Sequence, residues 1–541
     1  MISRLDVEKP KTKKMNQVNL DALIPRGDMF LNADEPSSSV SQLPAQEFKI
    51  TELEESSFFY PSLRKPDFQR ETSDWTPEKV CDFIESFINV DLIPAIIMWN
   101  QGKYNFVIDG AHRISALVAW VRDDYGYGNL SREFFGDEID EIKKIAKKTQ
   151  QKVNDTIGTY QSYKQVMSKP ESDPKLFAKA LKFSTNPIKL QWVSGDYLVA
   201  QNSFFKINES ATPINKTEKK LLYSRKKPEA IAARAIIHGG GGHKYWQHFT
   251  DKNKADVEEL AKTINLMLFN PPLKQPIDTN DVAYGGKGYS AQSLELIYNL
   301  ICLCNDIPLE DKSKKTSKSD INFSEDDVSG DMTKKYLQST KSILGRIIGK
   351  GSPSMGLHPL IYFYSESGRH QFTSLMAWIL LIKDMEIHKS FQKFTKIRRN
   401  FEDFILQYKI FIHQIVIHNG SGVKSYEKLY VFFKDIIDNL QKGISPNDII
   451  KHLKSVQFYY LKPNEKEIDP QQQKDFSTQT KSTIYINSQF PNPQICPLCN
   501  GYFYGKGANA DHKTAKVNGG VGNAENGQMT HGYCNSLKGG K

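Results

Sequence analysis

The chain has 541 residues, 39% of them hydrophobic and 11% aromatic, and a formal net charge of +10. That length exceeds what one hydrophobic core sustains and implies about three domains, and the apolar content excludes a mostly disordered chain. The basic excess suits a nucleic-acid partner, whereas the longest apolar run, Leu375–Ile382, is too short for a bilayer, so no membrane partner is expected. With six cysteines and no apolar signal region at the N-terminus, a cytoplasmic location with reduced thiols at Cys81, Cys302 and Cys304 is expected. Nothing in the sequence speaks against a homo-oligomer.

Residues 1–45 are polar, with Lys-rich and Ser-rich patches, and read as a loosely ordered arm. The first domain is expected over 46–135. Thr76-Pro77 starts a helix with an N-cap and a proline at its first position, and Val80, Phe83, Ile84, Phe87 and Ile88 form one apolar face. Pro94–Met98 and Tyr104–Ile108 read as short buried strands joined by a turn at Asn100–Gly102. The second strand runs into Asp109-Gly110-Ala111-His112-Arg113 and then a helix carrying Ile114, Leu117, Val118 and Val121. Such a turn can cradle an anion, with helix N–H groups, the Arg113 fork and a His112 donor converging on phosphate. A tight structural turn with Arg113 in an internal ion pair explains the same residues, and both readings stand.

The order Lys65-Pro66-Asp67-Phe68-Gln69-Arg70, the Trp75 helix, the two strands and the Asp109–Arg113 turn resembles the N-terminal domain of GmrSD-type restriction endonucleases. The resemblance implies a ParB/sulfiredoxin-like α/β fold. It also implies a nucleoside triphosphate held by Asp109, Gly110, His112 and Arg113, with Gln69 and Arg70 lining the same site. Hydrolysis of that nucleotide would be a second activity. Ala111 and His112 stand where the family signature has two glutamines, a departure that bears on hydrolysis more than on binding.

Residues 136–462 read as mainly helical, with an exposed insert near 311–335. The glycine stretches Gly239–Gly242 and Gly285–Gly288 lack the Lys-Ser/Thr that a Walker A loop requires. Arg369-His370 reads as satisfying core polar groups, and Lys396–Arg399 as a basic cluster for DNA backbone or a solvated helix face. Residues 463–483, rich in Gln, Lys, Asp and Ser, have linker composition.

The last segment, 484–541, carries the most chemistry. Cys496-Pro-Leu-Cys499 and His531-Gly-Tyr-Cys534 are two pairs, each separated by two residues, a spacing that lets four ligands converge on one structural zinc. Between them lie Asp511-His512, Gly519-Gly520 and Asn526, and Asn535 follows directly. The set resembles the zinc-stapled HNH (ββα-metal) nuclease motif. The resemblance makes His512 the general base, and Asp511 and Asn535 the ligands of a catalytic cation. Asn526 would orient the histidine and brace the loop. A histidine is suited to deprotonate water near neutral pH, and the oxygen-rich Asp511/Asn535 pair favours magnesium or manganese.

The sequence therefore reads as a multidomain α+β protein: a ParB/sulfiredoxin-like domain, a helical middle, and a C-terminal ββα-metal domain. The expected function is nucleotide-controlled, metal-dependent DNA cleavage in restriction of phage or foreign DNA, the defensive role resting on analogy. The alternative is a DNA-binding sensor or regulator whose zinc module only docks. An ungated nicking enzyme of the mobile-element kind is a further option.

Overall fold

The structure is a computed structural model that describes residues 17–27, 45–66, 69, 72, 75–135, 140–211, 217, 220–221, 224–288, 291–309, 324–420, 422–465, 476–490, 493–523 and 525–539. The chain divides into two compact units, Met1–Tyr223 with Gly241–His243, and Ser224–Gly240 with Lys244–Lys541.

The first unit is built on a mixed six-stranded sheet. Its strands are β1 (Arg26–Gly27), β2 (Glu47–Phe48), β3 (Leu63–Pro66), β4 (Ile96–Gln101), β5 (Tyr104–Asp109) and β6 (Ile188–Trp192), in the order β1-β3-β5-β4-β6-β2. β1, β3 and β5 run parallel, β4 pairs antiparallel with β5, and β6 lies parallel to β4. Alternation along β5 sends Val107 to one face and Phe106 and Ile108 to the other. Helices α1 (Pro77–Asn89) and α2 (Ala111–Arg122) cover the Val107 face with Ile84, Phe87, Leu117 and Trp120. Further along the chain lie α3 (Asn129–Phe135), α4 (Asp140–Thr156), α5 (Tyr160–Ser168), α6 (Pro174–Ser184) and α7 (Tyr197–Ala211). From α7, Ala200 and Phe204 pack on Trp99, Phe106 and Ile108 on the opposite face. The Thr76 hydroxyl caps α1 by accepting from Lys79 N at 3.3 Å, as its sequence predicts.

Two boundaries differ from the sequence reading. Residues 17–27, assigned to the polar arm, supply β1 and the buried Val18, Leu20, Leu23 and Ile24; the remainder of that arm, 1–16 and 28–44, lies outside the described residues. The expected domain end at 135 falls inside the unit, because the sheet is completed by β6, which joins β4 to β2. A strand of five residues in a helical stretch has no local signal strong enough to mark it.

The second unit is helical apart from its last segment. The helix Phe372–Ile387 is buried on most of its surface. Its Trp378 is ringed by Tyr362, Phe394, Phe401 and Phe433, with ring centroids 4.9–5.8 Å apart. Of the expected exposed insert, 310–323 lie outside the described residues. Asp331–Ile347 is a helix, whose start is fixed by Asp327 accepting from Gly330 N at 2.9 Å and Thr333 N at 2.6 Å. Of the expected linker, 466–475 lie outside the described residues. Thr478–Gln489 is a helix, and its buried Ser482 accepts from Ile277 N at 3.0 Å, so this part packs on the helical body. Cys81, Cys302 and Cys304 are buried and take part in no disulfide. Among the described residues no helix is long and apolar enough to cross a membrane.

Candidate functional site

The C-terminal segment forms strands β7 (Ala508–His512) and β8 (Gly527–His531), paired antiparallel with Asp511 opposite Gln528 and His512 opposite Gly527. The helix Gly532–Gly539 follows without a break. Ahead of the hairpin, Cys496–Cys499 forms a knuckle closed by Asn500 N donating to Cys496 O at 2.7 Å and Cys496 N to Gly501 O at 2.9 Å. Cys496, Cys499, His531 and Cys534 thereby converge, their ligand atoms all within 4.8 Å of one another. His531 Nδ1 lies 3.4 Å from Cys499 Sγ and 3.9 Å from Cys534 Sγ. Ligands of a tetrahedral zinc stand roughly 3.5–3.8 Å apart, so the donor set fits that ion. His531 Nε2 faces the Tyr502 carbonyl at 3.1 Å, which fixes the ring so that Nδ1 points at the thiols. Hydrogen bonds from Cys499 and Cys534 hold the Cys496 thiol well below its ordinary range, while the same contact with Cys496 pushes Cys499 up to about 11. Four groups that compete for protons at such range form a site a metal cation could bind.

A buried ion pair fastens this knuckle to the helix Phe391–Gln407. Arg398 and Glu402 have fully buried side chains and pair at 2.8 Å. Arg398 also donates to the carbonyls of Met355 at 2.6 Å, Gly356 at 3.2 Å and Tyr502 at 3.2 Å. Glu402 accepts from Tyr502 N at 2.6 Å and from the Tyr362 hydroxyl at 2.7 Å. The Tyr502 carbonyl that orients His531 is thus itself held by Arg398. This corrects the reading of Lys396–Arg399 as a DNA-facing cluster or solvated face at Arg398, whereas Lys396 is exposed. Arg398 is interior, and Arg399 pairs with Asp403 at 2.8 Å and lies over the Tyr502 ring. Tyr284 and Tyr504 share a buried hydroxyl contact, and Tyr533 N donates to Ser354 O at 2.9 Å.

The expected reactive residues lie on the hairpin and the helix after it. Asp511 is buried, its Oδ2 accepting from Gln528 Nε2 at 2.7 Å and Lys538 Nζ at 3.0 Å. His512, the next residue, is half-buried at the strand end. Asn526 ties off the loop 513–526: its Oδ1 accepts from Thr514 N at 2.7 Å, and its Nδ2 donates to Thr514 O at 3.1 Å and Val521 O at 3.0 Å. That loop passes His512 closely, since a Cβ added at Gly522 would stand 3.7 Å from His512 Nε2. Asn535 is half-buried in the first turn of the final helix, one residue after the ligand-set Cys534. Lys538 was not singled out from sequence. Its signal is the spacing of three residues from Asn535, which puts both on one helix face.

In the first unit, Gly110 caps α2 with φ +100°, and a Cβ there would meet Ile96 Cδ1 at 2.4 Å, so both backbone and packing require glycine. Arg113 pairs with Asp109 at 2.6 Å and donates to the carbonyls of Pro94 and, at 3.3 Å, Ala95. His112 stacks on Trp75 at 5.7 Å. Of the two readings of this turn, the internal ion pair is present. A second polar group, missed from sequence, lies beneath the motif at 65–70. Asp21 pairs with Arg26 at 2.9 Å and Lys65 at 2.6 Å and accepts from Thr72 N at 3.0 Å. Burial opposes ionisation of Asp21, but the Arg26 and Lys65 charges override it and hold the carboxyl well below the usual range. Arg26 also donates to the Gln69 carbonyl. Gln69 is buried, and its Oε1 has no hydrogen-bond partner among the described residues. Arg70 lies outside the described residues. Because β3 and β5 are parallel neighbours, Gln69 and the Gly110 turn emerge at the same end of the sheet, where α/β sheets bind ligands.

Residues 50–223 match the family model for the GmrSD restriction endonuclease, N-terminal domain. No curated protein and no solved structure matches the chain. The part of the chain similar to GmrSD N-terminal domains therefore runs from just after β2 to the last residue of the first unit's main segment, at 223. It contains Gln69 and the Asp109–Arg113 turn, whereas Asp21 and Arg26 precede it.

Proposed function

We propose that the chain is a metal-dependent DNA endonuclease of GmrSD-like build, in which the C-terminal hairpin and helix form an HNH site under control of a nucleoside triphosphate bound in the N-terminal domain. Restriction of phage or foreign DNA is the biological setting that the family match suggests. The observation that carries the reading is the pairing of Asp511 and His512 at the end of β7, on a hairpin whose other strand ends in a metal-ligand set.

In this reading His512, half-buried at the strand end, takes a proton from the attacking water. Asp511 and Asn535 would hold magnesium or manganese, which when bound neutralises charge on the leaving oxygen. Asn526 keeps the loop beside His512 in one shape through its three side-chain hydrogen bonds. In the N-terminal domain, Gln69, Gly110 and His112 would meet the nucleotide, and Arg113 would do so with the hydrogen-bond capacity left by Asp109. The loss of both signature glutamines favours sensing over turnover.

The test is plasmid cleavage with magnesium or manganese, with and without each nucleoside triphosphate, on modified and unmodified DNA. Cleavage that disappears in His512→Ala while zinc content stays intact supports the site; retained cleavage refutes it. Cleavage indifferent to every nucleotide would leave the nuclease and remove the gate.

A further inference from the structure

Lys538 shares the carboxylate assigned above to the catalytic cation. Its ammonium stands 3.0 Å from Asp511 Oδ2 and also donates to the carbonyls of His512 and, at 3.1 Å, Lys513. The Asp511 side chain is 8% exposed and that of Lys538 27%, so the pair is shielded enough for its attraction to matter. Gln528 Nε2 takes a second position on the same Oδ2 at 2.7 Å. An sp² oxygen offers two lone pairs, and two donors already occupy this one.

We infer that Lys538 is the built-in counter-ion of Asp511, which a divalent cation must displace, so that Lys538 sets the divalent concentration at which the site loads. The inference rests on the nuclease reading and deepens it. A cation bound through Asp511 and the Lys538 ammonium would stand within a few ångströms of each other, and two positive charges at that distance repel. The ammonium has a place to go. The His512 and Lys513 carbonyls already accept from it, so release of Asp511 needs a small rotation of the lysine tip. Lys538 also joins the final helix to the end of β7, and an architectural tie alone is the competing account. The two accounts predict opposite signs. Removing a competing charge tightens metal binding; removing a strut loosens it.

The experiment is manganese binding to the zinc-loaded full-length chain, read by calorimetry, for the wild type, Lys538→Met, Lys538→Arg and Asp511→Ala. Lys538→Met keeps the stem and removes the charge, and should bind manganese about tenfold tighter, within the usual range of site-to-site coupling. Lys538→Arg should stay near the wild type. Equal or weaker binding by Lys538→Met overturns the inference. Should Lys538→Met shed its zinc, magnesium titration of the wild type decides. The Lys538 ¹³Cε resonance should move in step with occupancy, and an unmoved resonance is a refutation. Absence of manganese binding in every variant, with Asp511→Ala indistinguishable from the wild type, would instead remove the metal site and the nuclease reading with it.

Discussion

Arg398→Met tests the claim that an interior ion pair holds the metal knuckle in place. The substitution keeps most of the side-chain volume and removes the guanidinium. Glu402, fully buried, is left with two neutral donors, Tyr362 Oη and Tyr502 N, and no opposing charge. Three carbonyls, of Met355, Gly356 and Tyr502, lose a donor. Breaking one partner of a buried pair costs about 3–5 kcal/mol, and part of that is the uncompensated carboxylate. Arg398→Met/Glu402→Gln should therefore be more stable than Arg398→Met alone, by about 1–3 kcal/mol of coupling. Because the Tyr502 carbonyl also orients His531, zinc should be held roughly 10–100-fold less tightly in the single variant, the usual effect of losing an outer-shell partner. Urea denaturation followed by fluorescence reads the first effect, and transfer of zinc to a chromogenic chelator reads the second. An unchanged unfolding midpoint with unchanged zinc transfer, or a double variant less stable than the single, refutes the staple.

His358 is 3% exposed, and burial, with repulsion from Lys409 and Arg398, lowers its pKa from 6.5 to about 3. The unfolded chain then binds more protons below pH 6.5, so stability is complete above that pH and falls toward pH 3, by up to about 1.4 kcal/mol per pH unit. His358→Phe should flatten that slope in denaturation series at pH 7, 6 and 5; an unaltered slope counts against it. Gly110→Ala should destabilise the first unit by about 1–3 kcal/mol through its positive φ and the Ile96 contact, and a wild-type melting curve would contradict this. Gln69→Met should leave stability near the wild type, because the buried Oε1 has no partner to lose among the described residues, yet weaken nucleotide binding in a filter assay. Unchanged binding would detach Gln69 from the ligand. A fragment spanning 484–541 should bind zinc yet melt far below the full chain, and equal stability would show the module to be autonomous.

The elements around the Asp109–Arg113 turn were legible because their signals are local: a Thr-Pro helix start, two alternating strands and a glycine. β1 was not, since two residues carry no period, and its place depends on pairing with Lys65-Pro66 across the intervening chain. Arg398 was misread although a signal existed. Phe391, Phe394, Arg398, Phe401 and Ile405 recur at spacings of three and four, and all are buried, so the arginine lies on the apolar face. Composition alone, Lys-Ile-Arg-Arg, suggested solvent; the periodicity of its neighbours pointed inward. The convergence of Cys496, Cys499, His531 and Cys534 was legible because two-residue spacing is fixed by chelate geometry. The Asp511–Lys538 contact was not, because it needs the hairpin and helix already folded against each other.

The apolar core of the C-terminal module explains why it is built into the helical body. Its buried cluster consists of Cys496, Phe503, Ala508 and Cys534, with Cys499 packed against it, and three of those five belong to the Cys/His set that could hold a metal. A cluster that size cannot offset the ordering of some fifty residues. What remains is supplied by the ligand set and by the body: the Arg398–Glu402 pair, the Tyr284–Tyr504 contact, and the glycine-rich stretch 349–356. Along that stretch Gly356 packs on Gly507 and Gly351 on Gly532, too closely for any side chain at Gly532. Gly532 begins the helix that carries Asn535 and Lys538, so the same contacts that stabilise the module also fix where its reactive helix starts. Drawing the boundary at a polar stretch therefore separates sequence, not energy: Tyr284, which contacts Tyr504 of the module, lies 220 positions before it in the chain.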